Sequence, residues 1–322
     1  MKNVGLVTDI AFWEAGTGQN ARISALHDFL QNHCKLTLYY LEEEGSLDAL
    51  KRVEHDFIIV EKLHLDWIVD LGLKSPLYLD VHDLISERAA SFQQFNRACS
   101  AITFEEEIER MRRFDKLIFM QKEELEKIAV HIERDRLLYC PHPVVPEVEP
   151  LIREEVESIS FFGGPSWPNV DSIQWFHDAV LPLLGPLSQK CLIQGAFLCS
   201  PFSAFLPHLS KGRLFPSLAS YYPTIDIAIN PMLYGGGGLK IKTVEAIAHG
   251  VPLVTTSVGA DGLLQEAGRS FLVANTAVEF AEAIQRLASS PTLRRELSSR
   301  ARAYASEHFT PFACFNRLLS PF

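Results

Sequence analysis

The residues best suited to chemistry in this sequence follow four consecutive glycines at positions 235–238. Lys240 and Lys242 come directly after the glycines, and Glu245 lies three residues beyond the second lysine. Glycine lets a backbone approach a ligand closely, and the free N–H groups at a helix start attract anions. Two lysines near that start add full charges that stabilise a leaving phosphate. The segment therefore predicts a diphosphate site at which lysines do the work of a metal ion.

Glu245 raises a separate question, because its neighbours Val244, Ala246 and Ile247 are apolar. A carboxylate buried among apolar side chains needs a partner, since burying an isolated charge is very costly. Spacing alone leaves two partners open. One is Lys242, three residues earlier on the same side of the predicted helix. The other is a pair of ligand hydroxyls, such as the diol of a ribose.

A second glycine-containing loop, residues 9–22, follows the first predicted strand and carries Gly16 and Gly18. A helix is predicted soon after it, so the loop has the outline of another anion site. A plain flexible turn explains the same residues. The glycine pattern of dinucleotide-binding folds is incomplete between Gly16 and Arg22. This disfavours an NAD-dependent oxidoreductase.

Strands and helices must hold both loops, and the hydrophobic pattern predicts them. The predicted helices include one at 169–184 and one that begins at Leu239 and runs to about His249. In the first half, helical periods alternate with apolar runs at 4–10, 35–41, 56–61, 76–83 and 116–120. After a segment rich in proline and glutamate at 139–158, further strands are predicted at 158–164, 191–197, 212–216, 226–231, 252–256 and 271–274. Continuous apolar strands between amphipathic helices are typical of parallel sheets covered on both faces.

The pattern therefore predicts an α/β protein with two Rossmann-like, doubly wound domains that face each other across a cleft. The first, acceptor-side domain spans residues 1–150, and the second, nucleotide-sugar-binding domain spans residues 151–322. An arrangement in which the last helices pack back on the first domain is left open. In such sheets ligands bind beyond the carboxyl ends of the strands.

Charge and composition limit the partners of the chain. Its 322 residues carry a net charge of −10, which argues against nucleic acid as the main partner. The basic run at 108–116 is either a solvated helix face or a contact for anionic lipid head groups. Neither a membrane-spanning run nor a signal peptide is evident, so we expect a cytoplasmic protein, with peripheral contact at the inner membrane face as an option.

The six cysteines are expected to be reduced. The sequence contains no zinc-ligand spacing and no D-x-D pair, so no metal cofactor is expected. The oligomeric state is left open.

Several segments together resemble group 1 (family 4-like) glycosyltransferases of the GT-B fold. Residues 235–263, GGGGLKIKTVEAIAHGVPLVTTSVGADGL, resemble the donor-binding segment of that family. FFGGPSWPNVDSIQWFHDAVLPLL, at 161–184, and YYPTIDIAINP, at 221–231, resemble the opening strand and helix of its nucleotide-binding domain and the strand before its glycine loop. LDVHDLISER, at 79–88, resembles an acceptor-side segment. The resemblance covers most of the second domain and is looser in the first.

The resemblance implies a retaining, metal-independent hexosyltransferase of polysaccharide biosynthesis. Its donor is a nucleoside-diphosphate sugar, and its acceptor is a saccharide, a lipid-linked saccharide or a protein. The resemblance further implies that His82 lies near the transferred sugar and that Asp83 orients it. The alternatives are a strand-end histidine that bonds backbone and an aspartate that caps the next helix. The implied donor-binding residues are Gly16, Gly18, Gly237, Gly238, Leu239, Lys240, Lys242 and Glu245.

The sequence departs from the family pattern at Gly237, where many members carry a glutamate that contacts the sugar. It also has GPSWPN where an arginine is usual, so Lys240 must supply more of the charge at the phosphates. Two alternatives to a transferase stay open because of Gly237. One is a catalytically silent partner subunit that binds nucleotide-sugar, and the other is a nucleotide-sugar epimerase on the same fold.

Overall fold

A computed structural model of the chain describes residues 1–14, 18–146, 150–201, 209 and 218–320. Gly16 and the strand predicted at 212–216 lie outside the described residues.

The described strands form two parallel sheets. The first sheet has six strands in the order β2-β1-β3-β4-β5-β6, namely β1 (Asn3–Thr8), β2 (Lys35–Tyr40), β3 (Phe57–Glu61), β4 (Leu77–Val81), β5 (Lys116–Phe119) and β6 (Leu137–Tyr139). The second has five in the order β11-β10-β9-β7-β8, namely β7 (Ile159–Phe162), β8 (Cys191–Gln194), β9 (Ile227–Asn230), β10 (Leu253–Thr255) and β11 (Leu272–Val273). In both sheets the order reverses direction partway along the chain, as in doubly wound folds.

Helices connect the strands. They are α1 (Gly18–His33), α2 (Ser46–Arg52), α3 (Ile85–Gln94), α4 (Phe104–Met111), α5 (Lys122–Ile128), α6 (Trp167–Trp175), α7 (Leu218–Tyr221), α8 (Ile241–Ala248), α9 (Ala277–Ser289), α10 (Pro291–His308) and α11 (Pro311–Leu319). A short 3₁₀ segment, Leu63–Leu71, follows β3.

The chain divides into two compact units. The first unit contains Met1–Pro143, Gly236–Leu239 and Pro311–Phe322, and the second contains Val144–Gly235 and Lys240–Thr310. Part of the glycine loop and the helix α11 thus belong with the first sheet, although they are distant from it in sequence.

Each unit has its own apolar core. In the first unit every residue of β3 and β4 is buried, as expected for central parallel strands with helices on both faces. In the second unit, Phe161, Ile193 and Ile227 of three neighbouring strands join one buried cluster with Phe280 of α9. The two parallel sheets confirm the predicted fold class.

The structure differs from the sequence-based prediction at the helix predicted for 169–184. Regular α-helix ends at Trp175 and is followed by a wider π-turn, Phe176–Val180, and a 3₁₀ segment, Leu181–Lys190. Pro186 lies inside that segment, and Gly185 has a positive φ of 55°. Proline lacks the N–H that an α-helix requires, so Pro182 at the start of the 3₁₀ segment and Pro186 inside it prevent a regular α-helix from continuing to residue 184.

Candidate active site

The glycine loop joins β9 to α8, and its backbone determines where the helix begins. Gly238 has a φ of 77°, a left-handed conformation that favours glycine. Lys240 precedes the helix with an extended backbone, at φ −78° and ψ 96°. The helix therefore begins at Ile241, two residues later than the prediction at Leu239. Lys240 consequently lies at the helix N-terminus, and Lys242 lies within its first turn.

Gly238 lies close to the backbone at the carboxyl end of β4. Its N–H donates a hydrogen bond of 2.9 Å to Oε1 of Gln121. A Cβ atom at this position would lie 2.7 Å from the carbonyl oxygen of His82. Real Cβ atoms do not approach backbone so closely, so glycine is required here for packing as well as for its positive φ.

Two preceding glycines lie against carboxylates of the first unit. A Cβ atom on Gly236 would collide with Oδ2 of Asp83, and one on Gly237 would collide with Oε1 of Glu124. Glu124 is buried, and its Oε1 also accepts a 3.3 Å hydrogen bond from the Leu84 N–H. The space that a side chain at position 237 would need is therefore occupied by another acid.

Lys242 is held in the second unit by polar and aromatic contacts. Its Nζ donates a 2.5 Å hydrogen bond to Oδ1 of Asn169 and lies 4.5 Å from the ring centre of Phe161. Burial lowers the pKa of Lys242 to about 8. An ammonium with a lowered pKa is one that gains from a nearby anion.

Glu245 lies on the same helix and is also buried. Its Oε2 accepts a 3.3 Å hydrogen bond from the Tyr222 hydroxyl, and the Tyr222 ring stacks on His249 with centroids 4.6 Å apart. Burial raises the pKa of Glu245 to about 7. Among the described residues no ion pair joins Glu245 to Lys242, so that partner, left open by spacing, is not the one observed.

Lys240 is the third charged residue of this segment. Its Nζ lies 3.7 Å from Oδ2 of Asp261, and its side chain is 12% exposed. The distance is long for an ion pair. Leu239, one of the residues that the family resemblance implies for donor binding, has a buried side chain.

A second group of buried charges lies at the carboxyl ends of β3 and β4. We call Arg22, Glu61, Asp80 and His82 the strand-end cluster. Arg22 donates from Nε and Nη2 to the two Asp80 oxygens, at 3.0 and 3.1 Å. His82 Nε2 lies 2.7 Å from Oε2 of Glu61 and 3.8 Å from Asp80. The side chains of Arg22, Glu61 and Asp80 have no exposed surface.

The strand-end cluster has the spacing of a metal site. The ligand atoms of Glu61, Asp80 and His82 lie within 4.8 Å of one another. Both Asp80 oxygens, however, accept hydrogen bonds from Arg22, whose positive charge takes the place of a cation. His82 is thus held by a side-chain carboxylate, and the alternative of a histidine that bonds backbone is not observed among the described residues.

Asp83 does not contact the His82 ring and does not cap α3. Its carboxylate pairs with Arg88 at 2.8 Å. The N-terminus of α3 is capped instead by Glu107, which accepts from the Ile85 and Ser86 N–H groups at 2.6 and 3.0 Å. The role of orienting His82 therefore belongs to Glu61 in this structure.

The other predicted sites are less informative. Gly18 is the first residue of α1 and is exposed, whereas Gly16 lies outside the described residues.

In the basic run at 108–116, Arg110 and Arg113 pair with Asp66, and Arg112 pairs with Glu109. These pairs neutralise much of the positive charge on which a lipid contact would depend. No described helix combines the length and apolarity needed to cross a membrane.

Four residues of these two regions were not predicted from the sequence: Asn169, Tyr222, Glu61 and Asp80. A signal was present for the last two, because each is an acidic residue in an otherwise apolar strand near its carboxyl end. No comparable signal distinguishes Asn169 or Tyr222, since polar residues of those types are common at helix starts and in turns.

Comparison with known proteins connects this geometry to a family. Residues 157–290 match the family model described as glycosyl transferases group 1. An uncharacterized 44.6 kDa protein in the cps region of Klebsiella pneumoniae is 23% identical over 224 residues. That alignment covers 64% of this chain and 55% of the relative, so the chain spans about half the length of the curated relative that it matches.

Solved structures share the fold over nearly the whole chain. Sucrose-phosphate synthase from Thermosynechococcus elongatus superposes with a TM-score of 0.72 at 13% identity, covering 99% of this chain and 97% of that one. Anabaena HepE, solved in complex with UDP, gives a TM-score of 0.67 at 13% identity, with coverages of 99% and 98%. WaaG, a glycosyltransferase involved in lipopolysaccharide biosynthesis, gives 0.67 at 13% identity, with 98% of each chain covered.

The matched residues 157–290 include Asn169, Tyr222 and the entire segment from the glycine loop to Gly250. The chain therefore carries a group 1 glycosyltransferase domain over these residues and has the fold of the GT-B glycosyltransferases.

Proposed function

We propose that this protein is a glycosyltransferase that moves a sugar from a nucleoside-diphosphate sugar to a saccharide acceptor, with retention of configuration and without a bound metal. One observation carries the proposal. Lys242 and Glu245 are buried charges on one helix behind a glycine loop, and each is held by a neutral side chain. Burial disfavours both charged forms, so a ligand that supplies the opposite charge or two hydroxyls is bound favourably.

In this proposal the lysines and the glutamate bind different parts of the donor. Lys242 and Lys240 bind the diphosphate, whose negative charge grows as the glycosidic bond breaks. Glu245 accepts hydrogen bonds from the ribose hydroxyls. Gly237, Gly238 and Leu239 bring the backbone close to the donor, and Gly18, with Gly16, does so from the first glycine loop. HepE structures contain UDP and UDP-glucose, so uridine nucleotides are the first donors to test.

The chemical step then needs little from the protein beyond charge and position. The bond between the anomeric carbon and the phosphate oxygen breaks with its electrons passing to the diphosphate. The acceptor hydroxyl forms the new bond on the same face, and its proton passes to the leaving phosphate oxygen. His82 contacts the transferred sugar in an oxocarbenium-like transition state. Retention follows from this same-face path.

The acid that is missing at Gly237 has a candidate replacement. The Glu124 carboxylate fills the space beside Gly237 in which a side chain would begin. We propose that Glu124 supplies the carboxylate for the sugar hydroxyls, and Glu124→Gln is expected to lower turnover more than nucleotide affinity. Unchanged turnover in this variant would show that Glu124 does not supply that carboxylate, whereas absence of turnover in the wild type would favour the silent partner subunit.

The similar proteins support one class of acceptor. One lies in a cps region and another acts in lipopolysaccharide biosynthesis, which supports a role in making a surface polysaccharide. A growing saccharide, free or lipid-linked, is therefore the proposed acceptor, ahead of a protein.

A thermal-shift screen of UDP, GDP, ADP and their sugars tests the donor. We expect one nucleotide class to raise the melting temperature of the wild type and to fail with Lys242→Met. Lys190→Met is the matched control, because Lys190 lies in the same unit and its Nζ bonds the carbonyl oxygen of Val156. No shift with any nucleotide would refute the proposal, and hydrolysis or epimerisation of the donor without acceptor would favour the epimerase alternative.

A further inference from the structure

We propose that Tyr222 is a positioning residue that makes this protein selective for ribonucleotide donors over deoxyribonucleotide donors. The Tyr222 hydroxyl, on a ring held by His249, fixes the Glu245 carboxylate in the orientation that accepts both hydroxyls of a ribose. The inference rests on the proposed function for the contact between Glu245 and the ribose. It adds the residues that orient this carboxylate and the class of nucleotide that the site selects.

The Glu245 carboxylate has more acceptor positions than the protein uses. Its Oε2 accepts a hydrogen bond of 3.3 Å from the Tyr222 hydroxyl. Among the described residues no other side chain forms a hydrogen bond with this carboxylate. The two oxygens of a carboxylate have about four lone-pair positions between them, so Oε1 and part of Oε2 stay available. These positions are sufficient for the two neighbouring hydroxyls of a ribose.

Tyr222 is itself held in place, as a positioning residue must be. It begins the short 3₁₀ segment Tyr222–Thr224, and its side chain is buried. Its ring stacks on the His249 ring, with centroids 4.6 Å apart and planes inclined by 16°. The Tyr221 ring also packs against it, with centroids 4.8 Å apart. These two contacts restrict the movement of the hydroxyl away from Glu245.

His249 connects the tyrosine to the helix that carries Glu245. It caps the carboxyl end of α8, and its backbone N–H donates a 2.9 Å hydrogen bond to the carbonyl oxygen of Glu245. Burial lowers the pKa of His249 to about 4, so its ring is neutral and brings no charge that would compete for the carboxylate. The helix, the histidine ring and the tyrosine therefore hold the carboxylate in one arrangement.

A fixed carboxylate discriminates between sugars because the strength of a hydrogen bond depends steeply on its direction. When the 2′-hydroxyl is missing, one acceptor position of the buried carboxylate is left without a donor. A site built to bond a hydroxyl rejects the analogue that lacks it, since an unpaired buried acceptor is costly. The contacts that we propose for Lys240 and Lys242 are with the diphosphate, so they do not distinguish the two sugars.

Calorimetry with three nucleotides tests this inference. The probes are UDP, 2′-deoxy-UDP and 2′,3′-dideoxy-UDP, or the same series of GDP or ADP where the thermal-shift screen favours that base. Measurements at pH 8 keep Glu245 ionised, because burial raises its pKa to about 7. In the wild type we expect Kd for the 2′-deoxy analogue to be about ten- to a hundredfold higher than for the ribonucleotide.

Tyr222→Phe removes the hydroxyl and keeps the ring. The ratio of the two Kd values should fall about fivefold, the effect typical of one hydrogen bond. Kd for the dideoxy analogue should stay unchanged, because this nucleotide has no ribose hydroxyl for Glu245 to accept. A tyrosine that only supported the fold would weaken the binding of all three nucleotides alike.

Tyr221→Phe is the matched control. It removes the hydroxyl of the neighbouring buried tyrosine, whose ring packs on Phe162, and should keep the wild-type ratio. His249→Leu removes the ring that holds Tyr222 and should lower the ratio as Tyr222→Phe does. In a Glu245→Ala background, Tyr222→Phe should change none of the three affinities, because a residue that acts through Glu245 then has nothing to orient.

The outcomes separate this inference from the proposed function. Ribonucleotide binding with the same ratio in Tyr222→Phe and the wild type would overturn the inference alone, as would equal weakening of all three nucleotides. Equal wild-type affinities for the ribonucleotide and its 2′-deoxy analogue would also overturn it, even if every variant failed to fold. If no nucleotide bound at all, the proposed function would be refuted and the inference with it.

Discussion

Two of the buried charged regions in the described part of the chain handle charge in different ways. In the strand-end cluster, Arg22 and Asp80 form a two-point ion pair, and Glu61 bonds His82, so each ionisable side chain contacts another. On α8, Lys242 and Glu245 are instead held by the neutral side chains of Asn169 and Tyr222. The first region brings side chains of opposite charge together without a ligand. In the second, the attraction between Lys242 and Glu245 offsets the cost of burial only in part, which favours the binding of a charged ligand.

Among the changes that we predict, breaking the strand-end cluster should have the largest effect, which is on the free energy of unfolding. Arg22→Met leaves Asp80 and Glu61 buried without their cation and should lower the free energy of unfolding by about 3–5 kcal/mol. Chemical denaturation measures this. The control Arg113→Met removes an arginine at a partly exposed pair with Asp66 and should cost less than about 1 kcal/mol. If both variants lowered the free energy of unfolding equally, the buried pair between Arg22 and Asp80 would be no more important than a surface pair. Adding Asp80→Leu to Arg22→Met should restore part of the lost stability.

Removing the Lys242 charge should leave the fold intact and weaken nucleotide binding. Lys242→Met removes an ammonium whose pKa burial has lowered, so its free energy of unfolding should not fall. A hydrogen bond from a charged group contributes about 1.5–3 kcal/mol, so the nucleotide Kd should rise roughly ten- to a hundredfold. Calorimetry checks this prediction. Loss of stability together with unchanged affinity would mean that Lys242 is structural.

Glu245 should make stability and binding respond to pH in opposite directions. Its pKa is raised from 4.5 to about 7, so its contribution to stability is fully present below pH 4.5 and is lost as the pH rises through 7. The wild type should therefore lose about 1–3 kcal/mol relative to Glu245→Gln between pH 5 and 8. Nucleotide affinity should rise over the same range, because the ribose hydroxyls donate to the ionised form. If the free energy of unfolding varied with pH in the same way in the wild type and in Glu245→Gln, the raised pKa of Glu245 would be contradicted.

The smallest effect should come from the close approach of the glycine loop to His82. Gly238→Ala meets the carbonyl oxygen of His82, whereas Gly268→Ala has a similar φ of 74° and open space around its Cβ. Both variants bear the penalty of a left-handed backbone, about 1 kcal/mol. The difference between their unfolding free energies, which we expect to be about 1 kcal/mol, isolates the steric contact. If the two variants were equally stable, the loop would not need to lie so close to β4.

The sequence predicted the fold class because it depends on local patterns. Apolar runs of strand length between helical periods produced a parallel α/β architecture, and the two sheets confirm it. The start of α8 was predicted two residues early, because the positive φ of Gly238 and the extended backbone of Lys240 prolong the loop. Helix ends depend on single backbone conformations, which a periodic pattern does not contain.

The candidate site was only partly predictable. Lys240, Lys242 and Glu245 were identified by their spacing behind the glycines, and their roles toward a donor stay predictions. The partner of Glu245 was undecided from spacing, and the structure assigns it to Tyr222, more than twenty residues away in sequence. Asp83 was expected to orient His82, yet Glu61 of the adjacent strand holds the ring. Such pairings depend on strand order, which brings the ends of β3 and β4 together.

The sequence by itself determined the two layered sheets, the glycine loop and the charged residues behind it, because these depend on composition and periodicity along the chain. Only the tertiary structure decided which charges are compensated. Arg22 comes from a helix, and Glu61, Asp80 and His82 come from the carboxyl ends of two strands. Their contacts exist only when those elements pack in the order observed. Lys242 and Glu245 share a helix and attract each other, yet each forms its hydrogen bond with a neutral side chain brought close by folding. The energy of a buried charge is set by its surroundings in space, and sequence distance does not measure those surroundings.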